Sequence, residues 1–151
     1  MGVSTVIAHF LLFIITVTLV MMIVDTVTGY VTNMNSSLKQ KVDVISEKIK
    51  TDITIITINY DSLTNVLTVY VENTGSVTLD PDDMDLYIDN ERIARSDVNR
   101  TVEEDTDTVN PGLLDNSEIL NMNTTKALSS GEHSVLVSTH NGIVARKVFS
   151  I

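Results

Sequence analysis

Hydrophobic and polar positions divide the chain into three stretches with different periods. From Val3 to Val24 the sequence VSTVIAHFLLFIITVTLVMMIV carries no charge, and only Ser4, Thr5, His9, Thr16 and Thr18 interrupt it with polar side chains. As a helix rising about 1.5 Å per residue, this run would span roughly 33 Å, enough to cross the hydrocarbon layer of a membrane. No face of the segment is polar, which sets it apart from the helices of soluble domains. It is long for the h-region of a signal peptide and has neither a basic n-region nor an A-x-A-like site before Asp25. The expectation for residues 1–24 is a retained helix, seated in a membrane or in the core of a filament.

After Asp25 the pattern becomes amphipathic. Val27, Val31, Met34, Leu38, Val42, Ile45 and Ile49 recur at a mean spacing of about 3.67 residues, with Lys39, Lys41, Asp43, Glu47, Lys48 and Lys50 between them. That period lies nearer an eleven-residue repeat than a heptad, so residues 25–50 read as a long, nearly straight stalk helix. Gly29 weakens it by about 1 kcal/mol relative to Ala and leaves room for a bend where membrane would give way to water. The stripe either lies against the chain's own C-terminal domain or packs on partner helices.

At Thr51 the period switches from helical to alternating. In TDITIITINY, Ile53 and Ile55 share one face and Ile56 and Ile58 the other, a phase slip that predicts a β-bulge or a strand buried on both sides. VLTVYVE turns Leu67, Val69 and Val71 one way, and Met84, Leu86 and Ile88 alternate after Pro81. Turns fall at Asp61 to Asn65, Asn73 to Ser76, Asp89-Asn90, Gly131 and Asn141-Gly142, and Ile93 begins a return strand. Further strands are expected over Glu118 to Met122, Ser134 to Thr139 and Ile143 to Ile151, with Asp97 to Gly112 as a long loop. Six or seven short strands make residues 51–151 an antiparallel β-sandwich of immunoglobulin-like type. The fold class is therefore α+β, a long apolar helix leading into a sandwich whose core relies on Ile, Val and Leu.

Charge and composition narrow the function. The 151 residues include 20 acidic and 10 basic ones, a formal charge of -10, so no basic stripe is present to neutralise nucleic-acid phosphates. Without cysteine there is no disulfide, thiolate metal site or thiol nucleophile, and the three His residues are far apart. No nucleophile elbow, phosphate-binding loop or H-E-x-x-H motif occurs, so neither catalysis nor a cofactor is expected. Two acidic runs, Asp80-Asp82-Asp83-Asp85 and Glu103-Glu104-Asp105-Asp107, lack the ligand order of a calcium loop and read as solvated loops, with no metal. His133 and His140 flank one strand and are expected to be exposed. Asn35, Asn99 and Asn123 each open an N-x-[ST] triplet, the acceptor pattern for N-glycosylation.

An apolar N-terminal helix that continues as a stalk into a β-sandwich is the layout of type IV pilin-like subunits. Within that group VSTVIAHFLLFIITVTLV, SEKIKTDITII and LTVYVENTGSVTLDPDD followed by YIDN resemble the archaellum accessory proteins of the FlaG and FlaF families, relatives of the archaellins. The opening through His9 to LLFI and the SEKIKTDI junction look more like FlaG. The resemblance implies a non-catalytic stator component in the archaeal cell envelope: a helix in the cytoplasmic membrane, a sandwich outside it, self-association, and assembly with a FlaF-like partner to tie the motor to the S-layer. The chain departs from the archaellins in lacking basic residues ahead of the apolar run, part of the pattern their prepilin peptidase cleaves. Lysine placement argues the other way on orientation: none precedes the apolar run, while Lys39, Lys41, Lys48 and Lys50 follow it. Two rival functions share this layout, a filament-forming archaellin or pilin and an extracellular binding module.

Overall fold

The computed structural model describes residues 2–151, with side chains from Thr5 onward. One helix, α1 (Gly2–Lys50), is followed by eight strands: β1 (Ile53–Asp61), β2 (Val66–Asn73), β3 (Asp85–Ile88), β4 (Glu91–Arg92), β5 (Val98–Val102), β6 (Ile119–Thr125), β7 (Glu132–Ser138) and β8 (Val144–Ser150). Residues up to Val44 form one structural unit and Ile45–Ile151 a second, which holds the last turns of α1 and all the strands.

Within the second unit the strands form two antiparallel four-stranded sheets, ordered β1-β2-β6-β5 and β4-β3-β7-β8. The alternation read from the sequence sets which side chains enter the core. Leu67, Val69 and Val71 of β2, Leu86 and Ile88 of β3, Leu120 and Met122 of β6, and Val135 and Val137 of β7 are all fully buried. Each such side chain contributes roughly 1.5–3 kcal/mol through burial, so aliphatic residues hold the two sheets together without Trp. The phase slip in β1 is a bulge: the pairing shifts between Ile55 and Thr57, leaving Ile56 exposed. Lys147 of β8 covers this irregular edge by donating to the Ile55 and Ile56 carbonyls. Asp89 and Asn90 have φ of 51° and 67°, the left-handed pair that a two-residue hairpin between β3 and β4 requires.

Two expectations need correction. The stretch Asp97 to Gly112 is not wholly a loop, because Val98–Val102 forms β5, the edge strand of the first sheet. Its central inward position holds Arg100 in place of an aliphatic residue. The guanidinium donates to the carbonyls of Arg95 (3.0 Å), Val98 (3.0 Å) and Met84 (3.1 Å), and desolvation lowers its pKa. His133 is the second: its side chain is only 10% exposed.

Candidate assembly surface

Among the described residues of the apolar helix, polar side chains turn back onto the helix's own backbone. Thr16 Oγ1 donates to the carbonyls of Leu12 and Phe13, and Thr18 Oγ1 donates to that of Ile14 at 2.8 Å. His9 Nδ1 donates to the Thr5 carbonyl at 2.7 Å. Hydroxyls tied back in this way carry little penalty in an apolar medium, so Thr16 and Thr18 leave the segment suited to hydrocarbon. Thr5–Lys50 contains a window long and apolar enough to cross a membrane, by length and composition.

Farther along α1, every residue of the apolar stripe keeps about half or more of its surface exposed, from 49% at Val31 to 78% at Ile49. Val27, Met34, Leu38, Val42 and Ile45 fall between these limits. An uncovered row of seven aliphatic side chains is far more apolar surface than one helix normally leaves in water.

The last turn of α1 is fastened to the sandwich by its own backbone. Thr51 N and Oγ1 both donate to the Glu47 carbonyl, and Asn141 Nδ2 donates to Thr51 Oγ1 at 2.7 Å. From the VENTG turn after β2, Ser76 N donates to the Lys50 carbonyl at 2.8 Å, while Thr74 N and Gly75 N donate to that of Asp52. Asn73, fully buried, holds the turn's shape: Nδ2 donates to the Val77 and Leu114 carbonyls, and Oδ1 accepts from Gly75 N. His140 Nε2 lies 3.0 Å from Glu47 Oε1. The sequence marked VENTG and Asn141-Gly142 as turns, but only the fold shows that both grip the end of the helix.

The acidic runs do not converge on an ion. Asp80 Oδ1 caps a short 3-10 turn through Asp82 N, whereas Asp83 and Asp85 pair with Arg95, and Asp85 also with Arg92. Hydrogen bonding from Arg95 above all holds the Asp85 carboxyl below its usual range. In the second run Glu103 accepts from Asn121 Nδ2, and Asp107 accepts from Gly112 N. Among the described residues, no group of three or more His, Cys, Asp or Glu is placed to hold a metal ion. Of the triplet asparagines, Asn35 is exposed on α1, and Asn99 of β5 pairs directly across the sheet with Asn123 of β6.

Comparisons with known proteins agree with this architecture. A family model described as archaeal-type flagellin matches residues 3–149. An uncharacterized protein of Archaeoglobus fulgidus is 27% identical over 121 residues, covering 76% of this chain and 75% of its own. The archaellum periplasmic stator protein FlaG from Sulfolobus acidocaldarius has a similar fold, with a TM-score of 0.51 at 19% identity over 66% of this chain and 99% of that one. The archaellum periplasmic stator protein complex of FlaF and FlaG from the same organism matches with a TM-score of 0.49 at 18% identity, over 64% of this chain and 87% of the matched one. With nearly its whole length matched by the family model, the chain belongs to the archaeal-type flagellin family.

Proposed function

We propose that this protein is a structural, non-catalytic component of the archaellum, a membrane-anchored stator subunit of the FlaG kind. The observation that carries the reading is the union of an uncharged apolar helix with a sandwich of FlaG-like fold in a chain of the archaeal-type flagellin family. In this reading residues 1–24 anchor the protein in the cytoplasmic membrane, residues 25–50 form the stalk, and the sandwich, residues 51–151, stands outside. Its partners are a FlaF-like protein, further copies of itself and, directly or through that partner, the S-layer. The stripe Val27, Val31, Met34, Leu38, Val42, Ile45 and Ile49 is the surface on which partner helices pack. Its exposure supports that role.

The family match also favours a second reading, a filament subunit that buries the same apolar helix in a filament core. Deleting the gene in its archaeal host separates the two. A stator subunit leaves filaments that are assembled but do not drive swimming, and electron microscopy together with motility assays reads both properties. Loss of the filaments themselves, with the chain recovered as their main protein, would establish the filament reading instead.

A further inference from the structure

The outward face of the β1-β2-β6-β5 sheet has an unusual chemistry for so acidic a chain. The strand register aligns two rows across all four strands: Thr57, Tyr70, Asn121 and Thr101 in one, Asn59, Thr68, Asn123 and Asn99 in the other. Thr68, Tyr70, Asn121 and Asn123 alternate with fully buried residues and so point away from the core, the register sets Thr57, Asn59, Asn99 and Thr101 beside them on the same face, and all eight are neutral amides or hydroxyls. Carboxylates stand at the margins, at Asp61, Glu72, Asp97, Glu103, Glu104 and Asp105. Concavities of about 430 Å³ and 390 Å³ adjoin the β5-β6 side of the face, the first lined in part by Asn99, Asn123 and Asp97, the second by Thr101, Asn121 and Glu103. Asn121 Nδ2 is engaged by Glu103, but its Oδ1 is buried and unpartnered.

We propose that this face is a binding surface for a neutral carbohydrate chain. The charge pattern selects that occupant. An anionic partner is repelled by the marginal carboxylates, a cationic one is held at those same margins and leaves the uncharged rows unused, and an apolar one would strip the amides of water without replacing their hydrogen bonds. A polyol suits them: each amide offers two donors and an acceptor, and each hydroxyl a donor and two acceptors, matching vicinal hydroxyls that both give and take. Tyr70, half-buried near the middle of one row, adds a ring face with a polar edge, as sugar contacts require. Adjacent strands lie roughly 5 Å apart, close to the length of one pyranose unit, so a chain laid across the sheet meets each strand about once per sugar. The inference depends on the sheet face alone and stands whether or not the archaellum reading does.

The test uses the full chain, produced in a bacterium without N-glycosylation and held in a zwitterionic, sugar-free detergent. Maltohexaose, mannohexaose and chitohexaose are titrated by calorimetry beside anionic dextran sulfate. At least one neutral hexasaccharide is expected to bind saturably with a Kd of about 1 mM or below. Tyr70→Ala and Asn123→Ala should each weaken it by about fivefold or more, as expected for one lost contact. Tyr87→Ala on the other sheet should not. If either central variant unfolds, Asn99→Ala and Thr101→Ala on the exposed edge strand take its place. No saturable binding by any neutral chain up to about 20 mM overturns the proposal. So does binding that the face variants leave unchanged, or a dextran sulfate affinity equal to that of the neutral chains.

Discussion

An ideal Cβ on Gly75 would lie 2.4 Å from Asp52 N and 2.5 Å from the Lys50 carbonyl oxygen, and both are backbone atoms of the joint between helix and sandwich. Neither can move aside without breaking the hydrogen bonds that Gly75 and Ser76 make there. Gly75→Ala is therefore expected to lower stability by about 2 kcal/mol or more, the scale of an overpacked core site, and denaturant unfolding of the detergent-solubilised protein would measure it. A variant as stable as the parent would show that the joint relaxes freely. His133 presents a different constraint: Nδ1 lies 2.7 Å from Asp89 Oδ2 and Nε2 lies 2.7 Å from the Ser129 carbonyl, both pure acceptors. Both ring nitrogens must carry protons to satisfy them, and the Asp89 hydrogen bond, then that of Ser129, raises the pKa above 6.5. Asp89 is in turn held below 3.8, first by Ser134 N and then by His133. His133 therefore adds stability that is complete below pH 6.5 and lost as pH rises through its raised value. Asp89 adds stability that is complete above pH 3.8 and lost as pH falls through its lowered value. Melting temperatures should be highest between those limits and fall on the alkaline side, and His133→Gln should flatten that fall. An unchanged alkaline slope in the variant would mean that the imidazolium does not stabilise the fold. None of this was visible in the sequence, because the partners of His133 are brought to it by the β3-β4 hairpin and by the chain leading into β7.

At the scale of elements, legibility followed how faithfully apolar residues marked the inward positions. The β2, β3 and β7 alternations and the β1 bulge could be read because Ile, Val, Leu and Met hold the core side over most of each strand, with Asn73, His133 and Tyr60 only near the strand ends. β5 was hidden because VNRTV has Arg at its central inward position, paired with backbone carbonyls that only the fold supplies. The uncharged rows on the β1-β2-β6-β5 face were equally hidden: each strand shows only a polar half of an alternation until the register sets the strands side by side. The helix stripe was legible as a pattern, but what covers it was not. If partner helices cover it, Leu38→Glu forces a carboxylate into an apolar interface and should weaken assembly by about 3 kcal/mol or more. Lys39→Glu, between stripe positions, should do little. Co-purification of the tagged protein with its untagged copies, done for both variants, decides this. Equal recovery with Leu38→Glu would remove the stripe as an assembly surface, whereas a fall in sandwich stability would mean that the stripe is covered by the chain's own domain.

For the whole molecule, two considerations compete over which side of the membrane holds the sandwich. Lys39, Lys41, Lys48 and Lys50 follow the apolar run with no cation before it among the first residues, a bias that taken alone retains the C-terminal part in the cytoplasm. That rule acts within about 15–20 residues of the membrane, and Lys39 is already at that limit. Beyond Thr51 the chain carries 17 acidic and six basic residues, so the sandwich itself adds few of the cations that count toward retention. A stator subunit also needs its sandwich where envelope partners are found. The expected arrangement is therefore outside, and protease added to intact cells lacking an S-layer should remove the unit Ile45–Ile151 while leaving the apolar helix in the membrane. Antibodies against each part would follow the two fragments. A sandwich fully protected in intact cells, and digested only after lysis, would reverse the orientation and with it the proposed link between membrane and envelope.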